Sequence, residues 1–233
     1  MKAIIATWNL EWAVPGTKVE KRILTILESL DLDVLVLTEA SIETVPGFGY
    51  VVSPTDSWGY PPRHLSFRKV LMWSKQPWEG VRSSGPASMP PGRFVSGKTM
   101  TELGPIEIVG VCIPWKDAHV RTGDKNRMPW QDHQLYLRAL RNEINQIDGP
   151  VVIAGDFNQR IPRRLAPVEV FEELTRTLEY LEIPTQSSGP DALIDHVVHS
   201  PDFSGKLVQV LPKSDEFGQL TDHIGAVVEM GGK

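Results

Sequence analysis

Polar side chains stand beside four apolar runs of the sequence, at the points where buried strands would begin or end. Carboxylate and amide oxygens are hard ligands of the kind that Mg²⁺ or Mn²⁺ prefers. A histidine beside them can hold or release a proton near neutral pH. The combination predicts a divalent-metal site that acts on a phosphate. Its members, in chain order, are Asn9, Glu39, Asp156, Asn158, Asp222 and His223.

Each of these residues has an ordinary explanation when it is taken alone. A Glu after a strand is usually a solvated charge, and Asp-x-Asn in a loop is usually a turn or a helix cap. Only the whole set departs from chance. The sequence has one cysteine and no cluster of Cys or closely spaced His residues, which argues against a structural zinc site.

Five short motifs carry a family resemblance. The sequence resembles the endonuclease/exonuclease/phosphatase superfamily, which includes deoxyribonuclease I-like enzymes, abasic-site endonucleases, neutral sphingomyelinases and inositol-phosphate phosphatases. The motifs follow the family's order, and the resemblance runs from residue 2 to about residue 229. Any one of them is common, but all five in register form a specific signature. They are Thr7-Trp8-Asn9-Leu10, Thr38-Glu39-Ala40, Gly155-Asp156-Phe157-Asn158, Ile194-Asp195-His196-Val197 and Thr221-Asp222-His223.

The resemblance implies a metal site. Glu39 resembles the principal carboxylate ligand of a divalent metal, Mg²⁺ or Mn²⁺, and Asn9 resembles the residue beside it. Asp222 resembles the Asp of the family's Asp-His dipeptide, which supports the metal or the adjacent His223.

The resemblance also implies catalytic roles. Asp156 resembles the residue that orients or deprotonates the attacking water, and Asn158 resembles one that binds a phosphoryl oxygen. His223 resembles the histidine that faces the scissile phosphate, and Asp195 resembles the carboxylate that fixes its ring. Such groups are needed together, because attack on phosphorus builds negative charge while the water loses a proton.

Apolar periodicity predicts the elements that position these residues. Helical spacing covers residues 18–30, 135–144 and 168–180. Strands are expected at 2–8, 33–38, 151–154, 193–199, 206–211 and 223–229, with antiparallel strands between 47 and 111. The order predicts one domain over residues 1–233, an α+β or α/β four-layer sandwich. In it, two mostly antiparallel sheets pack face to face with helices on the outside.

Composition limits the partners. The net charge of −5 argues against extended duplex binding, which is driven by neutralising phosphates, and favours brief engagement of one phosphate. We find no apolar run long enough to cross a membrane and no signal peptide. The single cysteine suits a reducing cytoplasm. We therefore expect a cytoplasmic monomer that acts on a phosphate ester, with DNA or RNA as candidate substrates.

A basic loop follows Pro114 and has two interpretations. It is a solvated charged loop, as such loops usually are, or a clamp for a second phosphate or a nucleic-acid backbone. The clamp reading assigns substrate binding to Lys116, His119, Arg121 and Arg127.

Two further features affect substrate preference. Many relatives place a His or Tyr at the end of the strand that precedes Pro114, where it contacts the phosphate. Here Cys112 or a neighbour occupies that place. A lone buried Cys is usually an apolar filler, so we assign it no catalytic role. A Pro-rich loop carries aromatic and basic residues that would stack on a base or simply cover one end of a sheet. These residues are Trp58, Tyr60, Arg63 and His64.

Three functional hypotheses remain at the level of sequence. The first is a nuclease or phosphodiesterase that cleaves nucleic-acid phosphodiester bonds by activated-water attack. The second is a phosphatase or phosphodiesterase of a small or lipid-derived phosphate. The third is a catalytically inactive binding module on the same fold, which the intact set of polar residues disfavours. The fold alone does not choose among them, because it hosts all of these activities.

Overall fold

The computed structural model describes residues 1–61, 64–189 and 192–233. Helices in this part of the chain are α1 (Lys18–Glu28), α2 (Gln131–Ile144) and α3 (Val168–Thr177). The first strands are β1 (Lys2–Asn9), β2 (Val34–Ser41), β3 (Tyr50–Val52), β4 (Phe67–Ser74), β5 (Trp78–Arg82), β6 (Phe94–Thr101) and β7 (Gly104–Cys112). They are followed by β8 (Val151–Asp156), β9 (Asp195–His199), β10 (Phe203–Leu211), β11 (Ser214–Asp215), β12 (Gly218–Gln219) and β13 (Gly225–Gly232).

The strands form two main sheets. One has the order β10-β13-β1-β2-β4-β3, and the other has the order β5-β6-β7-β8-β9. Each sheet contains one parallel pair, β1 with β2 and β7 with β8, and every other neighbouring pair in the two sheets is antiparallel. The parallel pairs are the ones that need a crossover helix, which α1 and α2 supply.

Three apolar clusters show that the molecule has four layers. Between the sheets, inward residues such as Ile5, Val36 and Ile108 form the inner core. On the outer face of the first sheet, Leu35 packs with α1, and on the outer face of the second sheet, Ile153 packs with α2 and α3. The predicted four-layer sandwich with mostly antiparallel sheets is therefore confirmed.

Strand directions bring distant sequence positions to one edge of the sandwich. The parallel β1 and β2 both end there, and their register pairs Asn9 with Thr38. In the second sheet, Cys112 at the end of β7 pairs with Asp156 at the end of β8. Asp156 in turn pairs with Asp195, because β9 is antiparallel and begins at this edge. We call this edge the active edge.

The predicted boundaries differ from the structure by a few residues. Helix α1 starts after Thr17, whose side chain accepts a hydrogen bond from the Glu20 amide as an N-cap, and it ends at Glu28 rather than Leu30. The last strand begins at Gly225 rather than at residue 223, so the Asp-His dipeptide precedes it in a loop. A single domain over residues 1–233 stays a prediction. Of the described helices, none has the length and hydropathy to cross a bilayer.

Candidate active site

Asp156 is the centre of a hydrogen-bonded group at the active edge. Its Oδ2 accepts from Asn9 Nδ2 at 3.1 Å and from Asn158 Nδ2 at 2.8 Å. Its Oδ1 accepts from the Asn158 amide at 2.8 Å, and the same Asn158 side chain also donates to the Ile113 carbonyl at 2.9 Å. Three donors from two residues therefore hold one carboxylate, which is 2% exposed, in a single orientation.

Backbone conformation explains how Asn158 makes these bonds. Its φ is +50°, in the left-handed region that Asn tolerates better than most residues. This turn directs both its amide and its side chain back to Asp156. Glu39 has a φ of +47° at the end of β2, where the strand geometry is interrupted. Unusual backbone conformations thus cluster at the active edge, as is common at functional sites.

Asp195 and His223 form a second hydrogen-bonded pair beside Asp156. His223 Nδ1 donates to Asp195 Oδ2 at 2.7 Å, and Asp195 is fully buried. The His223 backbone is held by two further bonds, since its amide donates to the Thr221 hydroxyl and its carbonyl accepts from Trp8 Nε1. The ring is therefore fixed, with Nε2 directed away from Asp195.

The pKa values of these groups are shifted in useful directions. Burial raises the pKa of Asp156 to about 7, although the charge of His223 opposes the shift. Burial alone lowers the pKa of His223, but the charge and hydrogen bond of Asp195 outweigh it and raise the pKa to about 10. The site therefore pairs a carboxylate that can accept a proton near neutral pH with a histidine that stays protonated.

Glu39 lies at the same edge and pairs with a lysine that the sequence analysis did not single out. Lys69 Nζ is 2.5 Å from Glu39 Oε1, and both side chains are mostly buried. The charge of Glu39 adds to the rise in the pKa of Asp156, after burial and the charge of Asp195. Asn9, at the end of β1, connects the first sheet to Asp156 of the second sheet. Its Nδ2 donates to Asp156, and its Oδ1 accepts from the Glu11 amide.

The residues present fit a divalent cation. One oxygen of the buried Asp195, Oδ1, has no hydrogen-bond partner among the described residues. Ligand atoms of Asp156, Asp195 and His223 lie within 4.8 Å of one another. Because His223 is protonated, a cation would be held by oxygens rather than by this ring, and Glu39 and Asn9 offer such oxygens at the same edge. Oxygen donors dominate the site, and they suit Mg²⁺ or Mn²⁺ better than a softer metal.

The three predicted metal residues have different environments in the structure. Glu39 and Asn9 lie in the group around Asp156, as the sequence analysis expected. Asp222 has a side chain that is 59% exposed, with Oδ1 3.6 Å from His223 Nε2. Of the two roles that the resemblance allowed for Asp222, this position supports the one beside His223.

The predicted basic loop is largely engaged with the protein itself. Arg127 Nε donates to Asp132 Oδ1 at 2.5 Å, and Lys116 pairs with its neighbour Asp117. Arg121 is exposed and has no ion pair in the described part of the chain. These contacts leave Arg121 as the residue of the proposed clamp with a free charge.

His119, the fourth predicted clamp residue, joins two loops instead of facing solvent. Its Nε2 lies 3.2 Å from the Trp58 carbonyl, and its Nδ1 accepts from the Asp124 amide at 3.1 Å. Its own amide donates to the Tyr60 hydroxyl, and the two rings are 4.5 Å apart. Because both ring nitrogens are engaged, we assign His119 to loop positioning rather than to substrate contact.

The loops that His119 joins enclose a cavity of about 230 Å³ next to Glu39. We call it the aromatic cavity. Its cationic lining residues are Lys69 and Arg93. Its aromatic lining residues are Trp12, Trp58, Tyr60, Phe67 and Trp115. Arg63, which the sequence analysis grouped with Trp58 and Tyr60, lies outside the described residues, and His64 is hydrogen-bonded to Ser66 Oγ.

Sequence reasoning missed Lys69 and Arg93, although a signal was present. Lys69 is the third residue of β4, and Arg93 directly precedes β6. Both strands are antiparallel to a strand that ends at the active edge, so their starts lie at that edge. A search of strand starts as well as strand ends would have found both residues.

Cys112 and two histidines are structural. Burial raises the pKa of the Cys112 thiol to about 12, so it stays protonated and is not a nucleophile. Burial lowers the pKa of His133 and of His196 to about 4, and each ring donates a hydrogen bond to a backbone carbonyl, that of Pro114 for His133 and that of Gln159 for His196. The burial of Cys112 agrees with the apolar filler expected from the sequence.

A four-layer sandwich with a buried acidic and amide group beside a paired histidine at one edge is the architecture of metal-dependent phosphoesterases. The chain belongs to the endonuclease/exonuclease/phosphatase family, whose model matches residues 6–223. The family contains nucleases, phosphodiesterases and phosphatases. The resemblance drawn from the five motifs is confirmed. No protein of curated function matches this sequence.

Solved structures with the same fold are numerous and distant in sequence. A humanized TDP2 from D. rerio has a TM-score of 0.70 at 13% identity, with 99% of each chain covered. The 3′ phosphatase NExo from Neisseria, bound to a product DNA hairpin, has a TM-score of 0.67 at 15% identity, with 99% of each chain covered. A beta toxin from Staphylococcus aureus with bound magnesium ions has a TM-score of 0.64 at 15% identity, with 100% of each chain covered. At these identities the likeness shows the fold.

Proposed function

We propose that the protein is a Mg²⁺- or Mn²⁺-dependent phosphodiesterase that cleaves nucleic-acid phosphodiester bonds by attack of an activated water on phosphorus. The observation that carries the proposal is the arrangement of Asp156 beside the Asp195–His223 pair. It combines a proton acceptor and a positive charge in one buried site. The Neisseria neighbour, which was solved with a DNA product, supports the choice of a nucleic-acid substrate.

Asp156 is the proton acceptor in this proposal. Its pKa of about 7 lies near the working pH, where a general base is most effective. The bonds from Asn9 and Asn158 fix the carboxylate, so that a water held against it has a defined direction of attack. The resemblance also implied phosphoryl binding by Asn158, but both N–H bonds of its Nδ2 are engaged, with Asp156 and with the Ile113 carbonyl, so we assign Asn158 to holding Asp156.

His223 supplies positive charge to the phosphoryl group. With its pKa near 10 it is an imidazolium at neutral pH, and its Nε2–H is the free donor because Nδ1 is bound to Asp195. A fixed charged donor stabilises the negative charge that builds on phosphoryl oxygens as the water attacks. Asp195 keeps the ring in place and charged, and the partly exposed Asp222 adds to the negative field around it.

The cation would be held by Glu39, with Asn9 beside it. Magnesium bound in the Staphylococcus aureus neighbour supports this choice of ion. When bound, such an ion acts as a Lewis acid on the phosphoryl oxygens. Lys69 pairs with Glu39 and balances part of its charge.

A substrate panel tests the proposal. Purified protein is incubated with Mg²⁺, Mn²⁺ or EDTA and with linear DNA, nicked DNA, abasic DNA, RNA, bis-p-nitrophenyl phosphate and inositol phosphates. We expect metal-dependent cleavage of a nucleic acid and of bis-p-nitrophenyl phosphate. Cleavage of inositol phosphates alone would support the alternative, a small-phosphate hydrolase. No turnover of any substrate, with no metal bound in a calorimetric titration, would support the binding-module hypothesis.

A further inference from the structure

The aromatic cavity contains a buried charge that the proposed chemistry does not use. Arg93 is 2% exposed, and its Nη2 has no hydrogen-bond partner among the described residues. Its Nη1 has only a weak contact, 3.9 Å to the sulfur of Cys112. A guanidinium remains charged in proteins, and burying it without a carboxylate is costly. Within the described part of the chain it has no acidic partner, which points to an anion from outside.

Arg93 and the site share the active edge. Cys112, which Arg93 contacts, is paired in register with Asp156. Lys69, the other cation that lines the cavity, is bonded to Glu39. An anion that reaches Arg93 therefore lies at the same edge as the proposed catalytic group.

The remaining walls of the cavity are aromatic. The rings of Trp12 and Trp58 are stacked at 5.8 Å with an interplanar angle of 24°, and Trp12 also packs against Phe67. Trp115 is 44% exposed at the mouth of the cavity. Planar rings of a ligand bind well to such faces by stacking, whatever the identity of the base. The volume of about 230 Å³ is below the range of about 300–1,000 Å³ for drug-sized ligands, so it suits one ring system.

The charges of the cavity choose between two kinds of ligand. Aromatic cages often hold quaternary ammonium groups, as in recognition of choline. Here Arg93 lines the cavity without an acidic partner among the described residues, while Lys69, paired with Glu39, already lies with its Nζ 4.9 Å from the Trp12 ring centroid. Arg93 would repel a cationic headgroup. An anionic ligand with a planar ring would stack on the aromatic walls and pair with Arg93.

We propose that the aromatic cavity is a substrate subsite that binds a phosphate ester carrying a planar ring, with Arg93 as its anion contact and Trp115 as an exposed stacking surface. The inference rests on the proposed function, because it identifies the part of the proposed substrate that the cavity would recognise. Two sources supply this chemistry, a nucleobase on a nucleotide or a simple aryl group. The loop junction at His119 positions the walls, since it holds Trp58 and Tyr60 in place.

The test measures binding in EDTA, so that it is independent of turnover. Equilibrium dialysis is run with thymidine 5′-phosphate, ribose 5-phosphate, thymidine, phenyl phosphate and phosphocholine. We expect thymidine 5′-phosphate to bind at least about 10-fold tighter than ribose 5-phosphate, which lacks the ring, or thymidine, which lacks the phosphate. If phenyl phosphate binds as tightly as thymidine 5′-phosphate, a simple aryl group is sufficient for recognition. If it binds more weakly, the cavity recognises the nucleobase.

Two substitutions separate the contributions of ring and charge. Trp115→Leu should weaken the binding of thymidine 5′-phosphate about 10-fold and leave the binding of ribose 5-phosphate unchanged. Arg93→Gln should weaken the binding of every phosphate and leave the binding of thymidine unchanged. The matched controls are Tyr180→Leu, an exposed aromatic outside the cavity, and Arg138→Gln, an exposed arginine on α2. Because Arg93 is buried, Arg93→Lys and a thermal unfolding curve show whether a loss reflects unfolding.

Three results would overturn the inference. They are equal affinity for thymidine 5′-phosphate and ribose 5-phosphate, tightest binding of phosphocholine, and unchanged binding in folded Trp115→Leu. Retained binding in a protein with no turnover on the substrate panel would leave the subsite standing while the proposed function fails. The two proposals are thereby distinguishable.

Discussion

The catalytic group around Asp156 and the aromatic cavity share one edge of the sandwich but are built from different parts of the chain. The catalytic side chains stand at strand ends or in turns bonded directly to them, where sheet register places them within hydrogen-bond distance. Most cavity walls come from loops that a histidine, His119, joins to one another. Strand ends are rigid because the sheet holds them, whereas loops are set by a few local bonds. The difference indicates that the first region determines the chemistry and the second determines the substrate.

The largest effect is expected in the catalytic group. Asp156→Asn removes the proton acceptor but keeps the shape of the side chain, so we expect kcat to fall by at least about 100-fold on every substrate that is cleaved. Steady-state rates with Mg²⁺ measure it, and Asp202→Asn, an exposed Asp after β9, is the matched control. A near-normal kcat in folded Asp156→Asn would remove the distinction between the two regions.

The charge of His223 gives the next prediction. Its raised pKa means that the ring is protonated below about pH 10 and loses its proton only as the pH rises through that value. Removing the charge of Asp195 in Asp195→Asn should therefore lower the midpoint by several units, towards 6.5.

An NMR titration of the His223 ring in metal-free protein measures that midpoint. His133, which lies on α2 with its Nδ1 bonded to the Pro114 carbonyl, serves as the internal control, and its midpoint near 4 should be the same in both proteins. A His223 midpoint that is the same with and without the Asp195 charge would contradict the electrostatic account of the pair.

A smaller effect is expected from loosening the cavity walls. Gly92 has a φ of +69°, and a Cβ there would lie 2.6 Å from the Asp56 carbonyl oxygen and 2.9 Å from the Trp58 amide. Gly92→Ala should push this loop outward and lower kcat/KM about 3- to 10-fold for substrates with a planar ring. The kcat/KM for a phosphate ester that has a methyl group in place of the ring should be unchanged.

Gly104→Ala is the matched control for Gly92→Ala. Gly104 also has a positive φ, +94°, but a Cβ there has open space around it. Equal losses in both variants would show that backbone strain alone, rather than the position of the cavity wall, causes the effect.

The smallest effect belongs to the basic loop. Since Arg127 and Lys116 are paired within the protein, Arg121 is the residue expected to meet a nucleic-acid backbone. Arg121→Glu should raise the KM for oligonucleotides about 2- to 5-fold at low salt, with the difference shrinking as salt is added. Lys21→Glu, on the exposed face of α1, changes the net charge equally and should have no effect. An unchanged KM would leave this loop as a solvated surface.

The sequence predicted the architecture and the catalytic group better than it predicted the cavity. Register is implied when apolar strands end on polar residues, so Asn9, Asp156 and Asp195 could be expected to meet. Lys69 could be singled out as a cation near a strand start, but its pairing with Glu39 could not, because it depends on β4 lying antiparallel to β2.

Loop contacts were the least predictable part. A basic side chain in a loop gives no sign of whether it faces solvent or a neighbouring acid, so Arg127 and His119 were assigned by residue type alone. Their positions depend on contacts between segments about 60 residues apart for His119 and five residues apart for Arg127. Neither contact leaves a periodic pattern in the sequence, whereas buried strands do.

Hydrolysis in H₂¹⁸O tests the central claim most directly, namely that a water next to Asp156 attacks phosphorus. The most rapidly cleaved substrate of the panel is converted with Mg²⁺ in labelled water, and both products are examined by mass spectrometry. We predict one ¹⁸O atom in the phosphate-bearing product and none in the released alcohol. Label in the alcohol, or in neither product, would contradict the account.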